Sequence, residues 1–512
     1  MADIQYILAH DLGTTGDKAT LYDVEGQLRA SRFKSYETSY PHGNWVEQNP
    51  RDWWDAVCHA TVALLRDAHV DPNEIAAISF SGQMMGCVAV DQDGEPLCNA
   101  IIWADQRGVE QARHLEQALG MEQVYRITGH RVSPSYSAAK ILWVRDEQPQ
   151  IFKRVHQVLQ AKDYVVHKLT GKFATDYSDA SGTNLFDLRD RQWSAEILDA
   201  LELPESILPP VHPSTKVVGE VTTATARACG LKAGTPVVIG GGDGSCAATG
   251  AGVVREGLAY NYLGSSSWIA LATPEPIYDP EWRTFNWVHL DPQLYSPCGT
   301  MQAAGGSFQW ASEVLGTMEA QAARPLGIDR YKLLDFQIEK SPPGAGGLLF
   351  LPYLLGERSP HWNPRAKGAF IGLTRRHRRR DLVRAVLEGI CFNLRIILEA
   401  FEDQGAVIEA VCLIGGGAQS EIWCRILADI YGKPVLLPAY LQEATSLGAA
   451  IAGGIGVELF DDFSVAERFN PVQERYQPNP DDVARYNRLF NLFQMSYRQL
   501  VDVYNELHPF SP

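Results

Sequence analysis

The sequence lacks the features of a secreted, membrane-spanning or nucleic-acid-binding protein. Its nine cysteines are an odd number, and none stands in CxxC spacing. We therefore expect reduced thiols and a cytoplasmic protein. The amino-terminal residues lack the basic and apolar pattern of a signal peptide, and no uninterrupted run of about 18 apolar residues could cross a membrane. The net charge of −16 disfavours nucleic acid or an anionic membrane as the main partner.

Two kinds of catalytic site are also missing. There is no GxSxG elbow, which argues against a Ser-His-Asp hydrolase, and the thirteen histidines show no spacing typical of a zinc site. The basic run 375–380 lies in an acidic chain, and we interpret it as a solvated or interdomain turn. The composition is that of an ordinary globular protein, with 45% hydrophobic and 21% charged residues. The length of 512 residues is enough for two large domains.

The most informative segment is a glycine-rich turn that carries one acid, GGGDG at 240–244. An apolar run at 236–239 predicts a buried strand before it, and the small residues 245–252 predict a helix after it. Glycines allow backbone and substrate to approach the acid closely. Asp243 is therefore a candidate general base for phosphoryl transfer to a hydroxyl. The alternative is a turn aspartate that caps the next helix.

Two hydroxyl-rich hairpins predict a duplicated architecture. The loop LGTTG at 12–16 and the loop LGSSS at 263–267 each separate two strand-like runs. Such hairpins present N–H and O–H donors to phosphate oxygens. They suggest two related domains that each contribute one phosphate loop, although two ordinary hairpins would give the same pattern.

A third glycine element, GGGAQS at 415–420, follows the predicted strand 410–414 and precedes the predicted helix 421–430. A base or ribose can lie against such a backbone at a helix N-terminus. We place the domain boundary just after the acidic turn, where a ligand site is expected. The predicted domains are 1–252, 253–460 and a peripheral helical tail at 461–512, and we interpret 274–295 as a surface insertion.

Eleven motifs spread over most of the chain resemble the FGGY carbohydrate kinases, and among these the xylulokinases. Each motif is weak alone, but their shared order is specific. They are DLGTTGDK (11–18), SGQMMG (81–86), IIWADQR (101–107), YSAAKILW (136–143), SDASGT (178–183), GGGDG (240–244), LGSSSW (263–268), AAGGSFQW (303–310), LPYLLGERSPHWNP (351–364), GAFIGLTRRHRRRDLVRAVLEG (368–389) and GGGAQSEIWCRILADIYGKPV (415–435).

The resemblance implies an α/β fold of two actin-like, ribonuclease-H-like domains with an interdomain active-site cleft. It also implies phosphorylation of a sugar or polyol hydroxyl with ATP and Mg²⁺. Asp243 would be the catalytic base, and Asp11 and Asp243 would hold the metal. The nucleotide site would comprise Thr14, Thr15, Lys18, Gly264, Ser265, Gly305, Gln309, Gly416, Gly417 and Ser420. The sugar site would comprise Gln83, Met84, Met85, Trp103, Asp105, Asp243 and Gly244.

Several of these residues have simpler interpretations. Met84, Met85 and Trp103 could belong to the core, and Asp105 could pair with Arg107. Asp17 could pair with Lys18 or join the metal shell.

Met85 bears on the acceptor, because the xylulokinase pattern ordinarily has histidine there and methionine is a poor hydrogen-bond partner for a sugar.

We expect a kinase for a small ketose, with D-xylulose or a related pentulose as the first expectation. Ribulose, glycerol, erythritol and gluconate are alternative acceptors that the methionine leaves open. An actin-like or chaperone-like nucleotide switch is the alternative from a different class. The sequence leaves the oligomeric state open, with a homodimer as one option.

Overall fold

The computed structural model describes residues 5–510 and contains two large mixed sheets with helices around them. The strands of the first half are β1 (Tyr6–Leu12), β2 (Gly16–Asp23), β3 (Leu28–Ser35), β4 (Glu47–Gln48), β5 (Ile75–Gly82), β6 (Val88–Val90), β7 (Ala100–Ile101), β8 (Gln157–Leu159), β9 (Thr175–Asp176), β10 (Phe186–Asp187), β11 (Gln192–Trp193), β12 (Val211–His212), β13 (Val217–Glu220), β14 (Pro236–Val238) and β15 (Gly241–Gly242). Those of the second half are β16 (Gly257–Leu263), β17 (Ser267–Leu271), β18 (Phe285–Val288), β19 (Tyr295–Met301), β20 (Leu349–Leu351), β21 (Ala369–Ile371), β22 (Ile408–Ile414), β23 (Val435–Pro438) and β24 (Val472–Tyr476).

The helices surround both sheets and fill the space between them. Those of the first half are α1 (Pro50–Ala68), α2 (Val109–Leu119), α3 (Met121–Thr128), α4 (Ser137–Glu147), α5 (Pro149–Phe152), α6 (Ala161–Thr170), α7 (Tyr177–Ser181), α8 (Ala195–Ala200), α9 (Thr223–Cys229) and α10 (Asp243–Gly250). Those of the second half are α11 (Gly305–Val314), α12 (Thr317–Leu326), α13 (Arg330–Glu339), α14 (Arg379–Glu402), α15 (Glu421–Tyr431), α16 (Ala444–Gly456), α17 (Val465–Phe469) and α18 (Pro480–Leu507).

The two sheets share one topology. The first has the order β13-β14-β5-β1-β2-β3, with β15 also pairing with β5. The second has the order β18-β19-β17-β16-β22-β23-β24. In both, a first strand pairs antiparallel with the next strand of a hairpin and parallel with a later strand, as β1 does with β2 and β5, and β16 with β17 and β22. The carboxyl ends of the parallel strands lie at one edge of each sheet. The loops that follow these strands, in both halves, carry the residues of the candidate site.

The two halves are joined by a close helix crossing between α10 and α16. A β-carbon added at Gly448 would lie 2.0 Å from the carbonyl oxygen of Cys246, and one added at Gly250 would lie 1.7 Å from that of Ala444. Both distances are far below van der Waals contact, so only glycine allows these backbones to approach so closely. The helix that begins at Asp243 is thereby fixed against the second half.

Two predictions about the periphery need correction. The segment 274–295 is not a surface insertion, because β18 lies within it, is buried, and pairs with β19 at the edge of the second sheet. The tail 461–512 is not wholly helical, because β24 pairs antiparallel with β23. The long helix α18 buries one face against the second half through Tyr486, Phe490, Phe493, Tyr497 and Tyr504.

None of the helices within residues 5–510 combines the length and the apolar composition that crossing a bilayer requires.

Candidate active site

Strand register places the first acid of the site. Asp11 stands opposite Lys18 in the β1–β2 pair and beside Ser81 in the β1–β5 pair. Residues paired across a sheet project from the same face, so these three side chains share one surface. The hydroxyl of Ser81 donates to Asp11 Oδ1 at 2.9 Å. In the next strand Gly241 pairs with Ser81, which brings the turn carrying Asp243 to the same sheet edge.

The charge of Asp11 acts on the carboxyl group of Asp243. Burial and then the charge of Asp11 raise the pKa of Asp243 to about 7, although the N–H of Gly244 donates to its Oδ1 at 2.7 Å. Burial also raises the pKa of Asp11, and Ser81 and Lys18 oppose that shift. A carboxyl group with a pKa near neutrality is suited to accept a proton from a hydroxyl.

The first phosphate hairpin is physically linked to the sugar-side segment. Thr15 is exposed at its tip, and Thr14 is partly exposed. The indole N–H of Trp103 donates to Thr14 Oγ1 at 2.9 Å, and the amide of Gln48 donates to the carbonyl of Thr14 at 2.7 Å. Lys18 donates to the carbonyl of Gln442 at 2.9 Å, so this side chain bridges the hairpin strand to the second half.

The second hairpin rests on the N-terminus of α11. The N–H of Gly305 donates to the carbonyl of Gly264, and that of Gly306 donates to Ser265, each at 2.9 Å. A β-carbon at Gly305 would lie 2.4 Å from the oxygen of Gly264, so this contact requires glycine. Ser265 is exposed at the tip. Gln309 is exposed on α11, where it donates to Glu313.

The third glycine element forms a short 3₁₀ turn over the end of β16. Gly416 is exposed and has open space where a side chain would stand, whereas Gly417 packs on Leu263. Ser420 caps α15 through the N–H of Trp423 and donates to Asp335 at 3.1 Å. Burial raises the pKa of Asp335 to about 6. Sequence analysis missed Asp335, because it lies on α13, far from any glycine motif.

The sugar-side loop 83–86 is held by many contacts. Gln83 is buried and donates to Gln48 Oε1 at 2.7 Å, while its own Oε1 has no hydrogen-bond partner among the described residues. Met84 is also buried and packs on Gly242, directly before the base. Met85 has a left-handed backbone with φ of 61° and a partly exposed side chain. The ammonium of Lys140 donates to the carbonyl of Met85 at 2.6 Å.

Two acids have partners other than a ligand. The carboxylate of Asp105 is 0% exposed and pairs with Arg107 at 2.8 Å, which matches the simpler alternative for this residue. It also accepts from the N–H of Val46, so it positions the segment 101–107. Asp17 takes neither predicted place. It lies on the opposite face from Lys18, buried, with its Oδ2 2.9 Å from His10 Nδ1, because neighbours along a strand alternate in direction.

Two arginines, Arg358 and Arg131, lie around the phenol of Tyr136. The guanidinium of Arg358 and the carboxylate of Asp243 both act on the buried thiol of Cys298. The Nε of Arg358 is buried without a hydrogen-bond partner among the described residues. Arg131 stacks over Trp362, 4.9 Å from the ring centre, and both arginines act on the phenol of Tyr136. The GERSP motif pointed to the Arg358 loop, but nothing in the sequence singled out Arg131.

The acid pair fits a magnesium ion. Mg²⁺ is usually held by one or two carboxylates, with phosphate oxygens and water completing its shell. Asp11 and Asp243 offer such a pair, and the charge of Asp11 disfavours ionisation of Asp243 without a cation. Among residues 5–510 no cluster of three or more His, Cys, Asp or Glu could hold a metal without a ligand's help.

Comparisons with known proteins identify the family. The family models for the FGGY carbohydrate kinases match residues 6–250 (N-terminal domain) and 259–457 (C-terminal domain). The chain is 32% identical over 508 residues to a xylulose kinase of Bacillus subtilis (strain 168), covering 99% of each. It is 31% identical to a gluconokinase of Bacillus licheniformis, over 98% of this chain and 97% of that protein. The crystal structure of ligand-bound xylulose kinase from Lactobacillus acidophilus has a TM-score of 0.91 at 30% identity, covering 98% of this chain and 100% of that one.

This chain belongs to the FGGY family of carbohydrate kinases. The predicted family, two-domain fold and enzyme class are confirmed: the protein is a phosphotransferase with an alcohol group as acceptor. ATP is the phosphoryl donor of the family. Membership argues against the nucleotide-switch alternative. Xylulose kinases and gluconokinases stand at almost equal identity, so the family does not fix the sugar.

Proposed function

We propose that this enzyme transfers the γ-phosphoryl group of ATP to a hydroxyl of a small ketose, with D-xylulose or a related pentulose as the first candidate. The observation that carries the proposal is the position of Asp243. This acid, whose pKa is raised to about 7 by burial and by the charge of Asp11, directly follows β15, which pairs with the end of β5 at the sheet edge where the β1–β2 hairpin loop also lies. We also propose that the enzyme acts in the cytoplasm.

In the proposed mechanism, the oxygen of the sugar hydroxyl attacks the γ-phosphorus while Asp243 accepts the hydroxyl proton, and the bond from that phosphorus to the β–γ bridging oxygen breaks so that ADP leaves. A well-placed general base contributes about 10²–10⁴-fold to rate. Thr14, Thr15 and Ser265 offer hydroxyl donors to the phosphate oxygens at the tips of the two hairpins. Magnesium, when bound, supplies positive charge that neutralises the phosphate oxygens. Asp11 and Asp243 are the residues that would hold it.

The nucleotide base is proposed to lie over the second half. Gly416 offers an open backbone surface, and Gly417 and Ser420 complete the same turn. Gly305 and Gln309 form the adjoining wall on α11. The phosphates then point towards the acid pair.

The sugar is proposed to lie against Gln83, Met85, Trp103 and Gly244. The buried Oε1 of Gln83 lacks a partner among the described residues, and a sugar hydroxyl is a suitable donor to it. Met84 and Asp105 support this surface from behind, because one packs under Gly242 and the other is paired with Arg107.

A sugar acid such as gluconate is the second candidate acceptor. Two features support it: Met85, in the proposed sugar site, offers a sugar no good hydrogen bond, and Arg358, whose buried Nε has no hydrogen-bond partner among the described residues, acts together with Asp243 on the thiol of Cys298. A guanidinium binds carboxylates through two parallel hydrogen bonds.

An acceptor panel tests the proposal. The protein is assayed with ATP and Mg²⁺ against D-xylulose, D-ribulose, glycerol, erythritol and gluconate, and the phosphate is located on the product by ³¹P NMR. We expect one acceptor to exceed the others in kcat/KM by at least about tenfold, which corresponds to 1.4 kcal/mol of transition-state discrimination. A pentulose at the top supports the first candidate, and gluconate supports the second. ATP turnover that no acceptor stimulates would contradict the proposal.

A further inference from the structure

A fully buried charge network lies behind the base. The ammonium of Lys162 on α6 is 2.7 Å from Asp163, 2.9 Å from Asp176 and 3.2 Å from Asp179, and all four side chains are 0% exposed. Burying a lysine together with three acids is costly unless the groups are paired and hydrogen-bonded. Neither the family motifs nor the proposed mechanism assigns this network a task.

Asp176 is the member of the network that faces the active site. Its Oδ1 meets Lys162, and its Oδ2 accepts from the hydroxyl of Ser178 at 2.5 Å and from that of Ser214 at 2.8 Å. Burial raises the pKa of Asp179 well above its ordinary value, so a proton on Asp179 relieves the excess of negative charge around one ammonium.

The two serines hold the strand end that leads to the base. The hydroxyl of Ser178 accepts from the N–H of Gly242 at 2.9 Å. The carbonyl of Ser214 accepts from the N–H of Gly240 at 3.0 Å. Each serine therefore bonds both to Asp176 and to one glycine of the turn before Asp243.

Gly241, between those two glycines, has no room for a side chain. A β-carbon there would lie 2.8 Å from Ser178 Oγ and 2.3 Å from Leu290 Cδ2. The strand end is thus packed against Ser178 on one side while Asp176 fixes that serine from behind. A glycine-rich strand has little stiffness of its own, so its position depends on such contacts.

We propose that Asp176, Ser178 and Ser214 are positioning residues that hold the Asp243 turn in its reactive place, with Lys162 fixing Asp176. The inference rests on the proposed role of Asp243 as base. None of the four residues touches the substrate in this scheme. Their effect comes through geometry, because a misplacement of about 1 Å at a reacting group can cost roughly 10²-fold in rate.

The test compares Ser178→Ala with Ser181→Ala. Ser181 is the matched control because it lies buried on the same helix and its hydroxyl also makes hydrogen bonds, to the carbonyl of Ser178 and the N–H of Val288, but not to the glycines. We expect Ser178→Ala to lower kcat by about 10- to 100-fold while the KM values for ATP and acceptor stay within about twofold. Ser181→Ala is expected to keep kcat within about threefold of the wild type.

A second readout does not depend on turnover. Hydrogen–deuterium exchange of the peptide containing residues 240–244 is expected to be at least about tenfold faster in Ser178→Ala than in wild type, and unchanged in Ser181→Ala, because only the first variant frees the Gly242 N–H. Unchanged exchange in Ser178→Ala, or equal losses of kcat in both variants, would overturn the inference. If exchange rises as expected and the wild type phosphorylates no acceptor, the proposed function fails while the positioning network stands.

Ser214→Ala provides an independent variant should Ser178→Ala fold poorly. It removes one donor to Asp176 but keeps the carbonyl that binds Gly240. We expect a smaller fall in kcat, about three- to tenfold, with KM values within about twofold of the wild type, because this variant removes one donor to Asp176 and acts only through the geometry of the turn. A kcat equal to that of the wild type would contradict an action through Asp176.

Discussion

At the scale of single residues, the proposed mechanism depends on two carboxyl groups, Asp11 on β1 and Asp243 at the start of α10. Burial and the charge of Asp11 make Asp243 harder to ionise, so its pKa rises to about 7. In the cleft this group can be ionised at neutral pH and still bind a proton well, which is the compromise that general-base catalysis favours. The raised pKa of Asp243 affects both the pH dependence of activity and the stability of the folded protein, and each effect gives one prediction.

The first prediction concerns the pH dependence of activity. Since Asp243 must be ionised to accept a proton, kcat/KM for the acceptor is expected to rise with pH and to level off at or below about 7, because bound Mg²⁺ lowers the pKa from the value of about 7 that burial and Asp11 produce. The measurement is a pH–rate profile at saturating ATP and magnesium. A rate that is flat between pH 5.5 and 8 would show that this group does not limit the proton transfer.

The second prediction concerns stability. A carboxyl whose folded-state pKa is raised binds its proton more tightly when folded, so its contribution to stability is present at acidic pH and is lost as pH rises towards 7. Asp243→Asn removes this loss. At pH 8 and without ligands, the variant is expected to be about 1–2 kcal/mol more stable than wild type, a figure reduced from the full shift because the acid is partly exposed. Denaturant unfolding at pH 5 and pH 8 measures this, and a less stable variant at pH 8 would contradict it.

The sequence predicted those site residues whose neighbours in the fold are also close to them in the sequence. The acid turn at Asp243 and the hydroxyl hairpins were visible, because glycines and hydroxyl groups mark tight turns. The position of Asp17 could not be predicted from the sequence. It depends on which face of β2 packs against α1, and the register between β1 and β2 determines that face. Arg131 could not be found either, since its partner Trp362 stands far away in sequence.

At the scale of secondary-structure elements, the proposed nucleotide site depends on short backbone contacts between loops. The hairpin between β16 and β17 rests on α11 because Gly305 and Gly306 donate to its carbonyl groups. Sequence patterns predicted the hairpin and the strand–glycine–helix element at 410–430. They did not predict β18, because its residues lie in a segment rich in turn formers and only pairing with β19 makes it a strand.

A glycine pair on α11 tests this contact. Gly305→Ala places a β-carbon 2.4 Å from the carbonyl oxygen of Gly264, so the hairpin must shift, whereas the β-carbon of Gly306→Ala lies 3.3 Å from the carbonyl oxygen of Ser265, a tight contact that a much smaller shift relieves, and this variant serves as the control. We expect Gly305→Ala to raise the KM for ATP by about tenfold and to cost about 1–3 kcal/mol of stability. Gly306→Ala should change either value by less than half as much. Steady-state kinetics measures the KM for ATP, and thermal unfolding measures the stability. Equal effects from the two alanines would contradict the close contact between α11 and the hairpin.

At the scale of the whole molecule, the two halves meet through the crossing of α10 and α16. The base begins α10, and α16 packs on strands β1 and β5 of the first sheet, so the crossing connects the acid site to both halves. The small residues of 444–454 are typical of close helix packing, but the sequence does not show that the partner is the helix of the acid turn.

Enlarging the crossing is expected to be costly. Gly448→Ala directs a β-carbon to within 2.0 Å of the Cys246 carbonyl oxygen, so the helices must separate. We expect a loss of about 3 kcal/mol or more, at the upper end of what overpacking costs, together with a fall in kcat as α10 moves. Gly43→Ala is the control, because nothing lies within 4 Å of that position. Denaturant unfolding measures the stability of the two variants. If Gly448→Ala is as stable as Gly43→Ala, the helices α10 and α16 do not pack as closely as described.

The central assignment is that Asp243 removes the proton from the acceptor, and single-turnover phosphoryl transfer by Asp243→Asn tests it most directly. With ATP, magnesium and the best acceptor of the panel all saturating at pH 8, the rate is expected to fall by about 10²–10⁴-fold, while calorimetry shows acceptor binding within about threefold of wild type. A variant that binds the acceptor and still transfers phosphate at a rate close to that of the wild type would contradict the assignment.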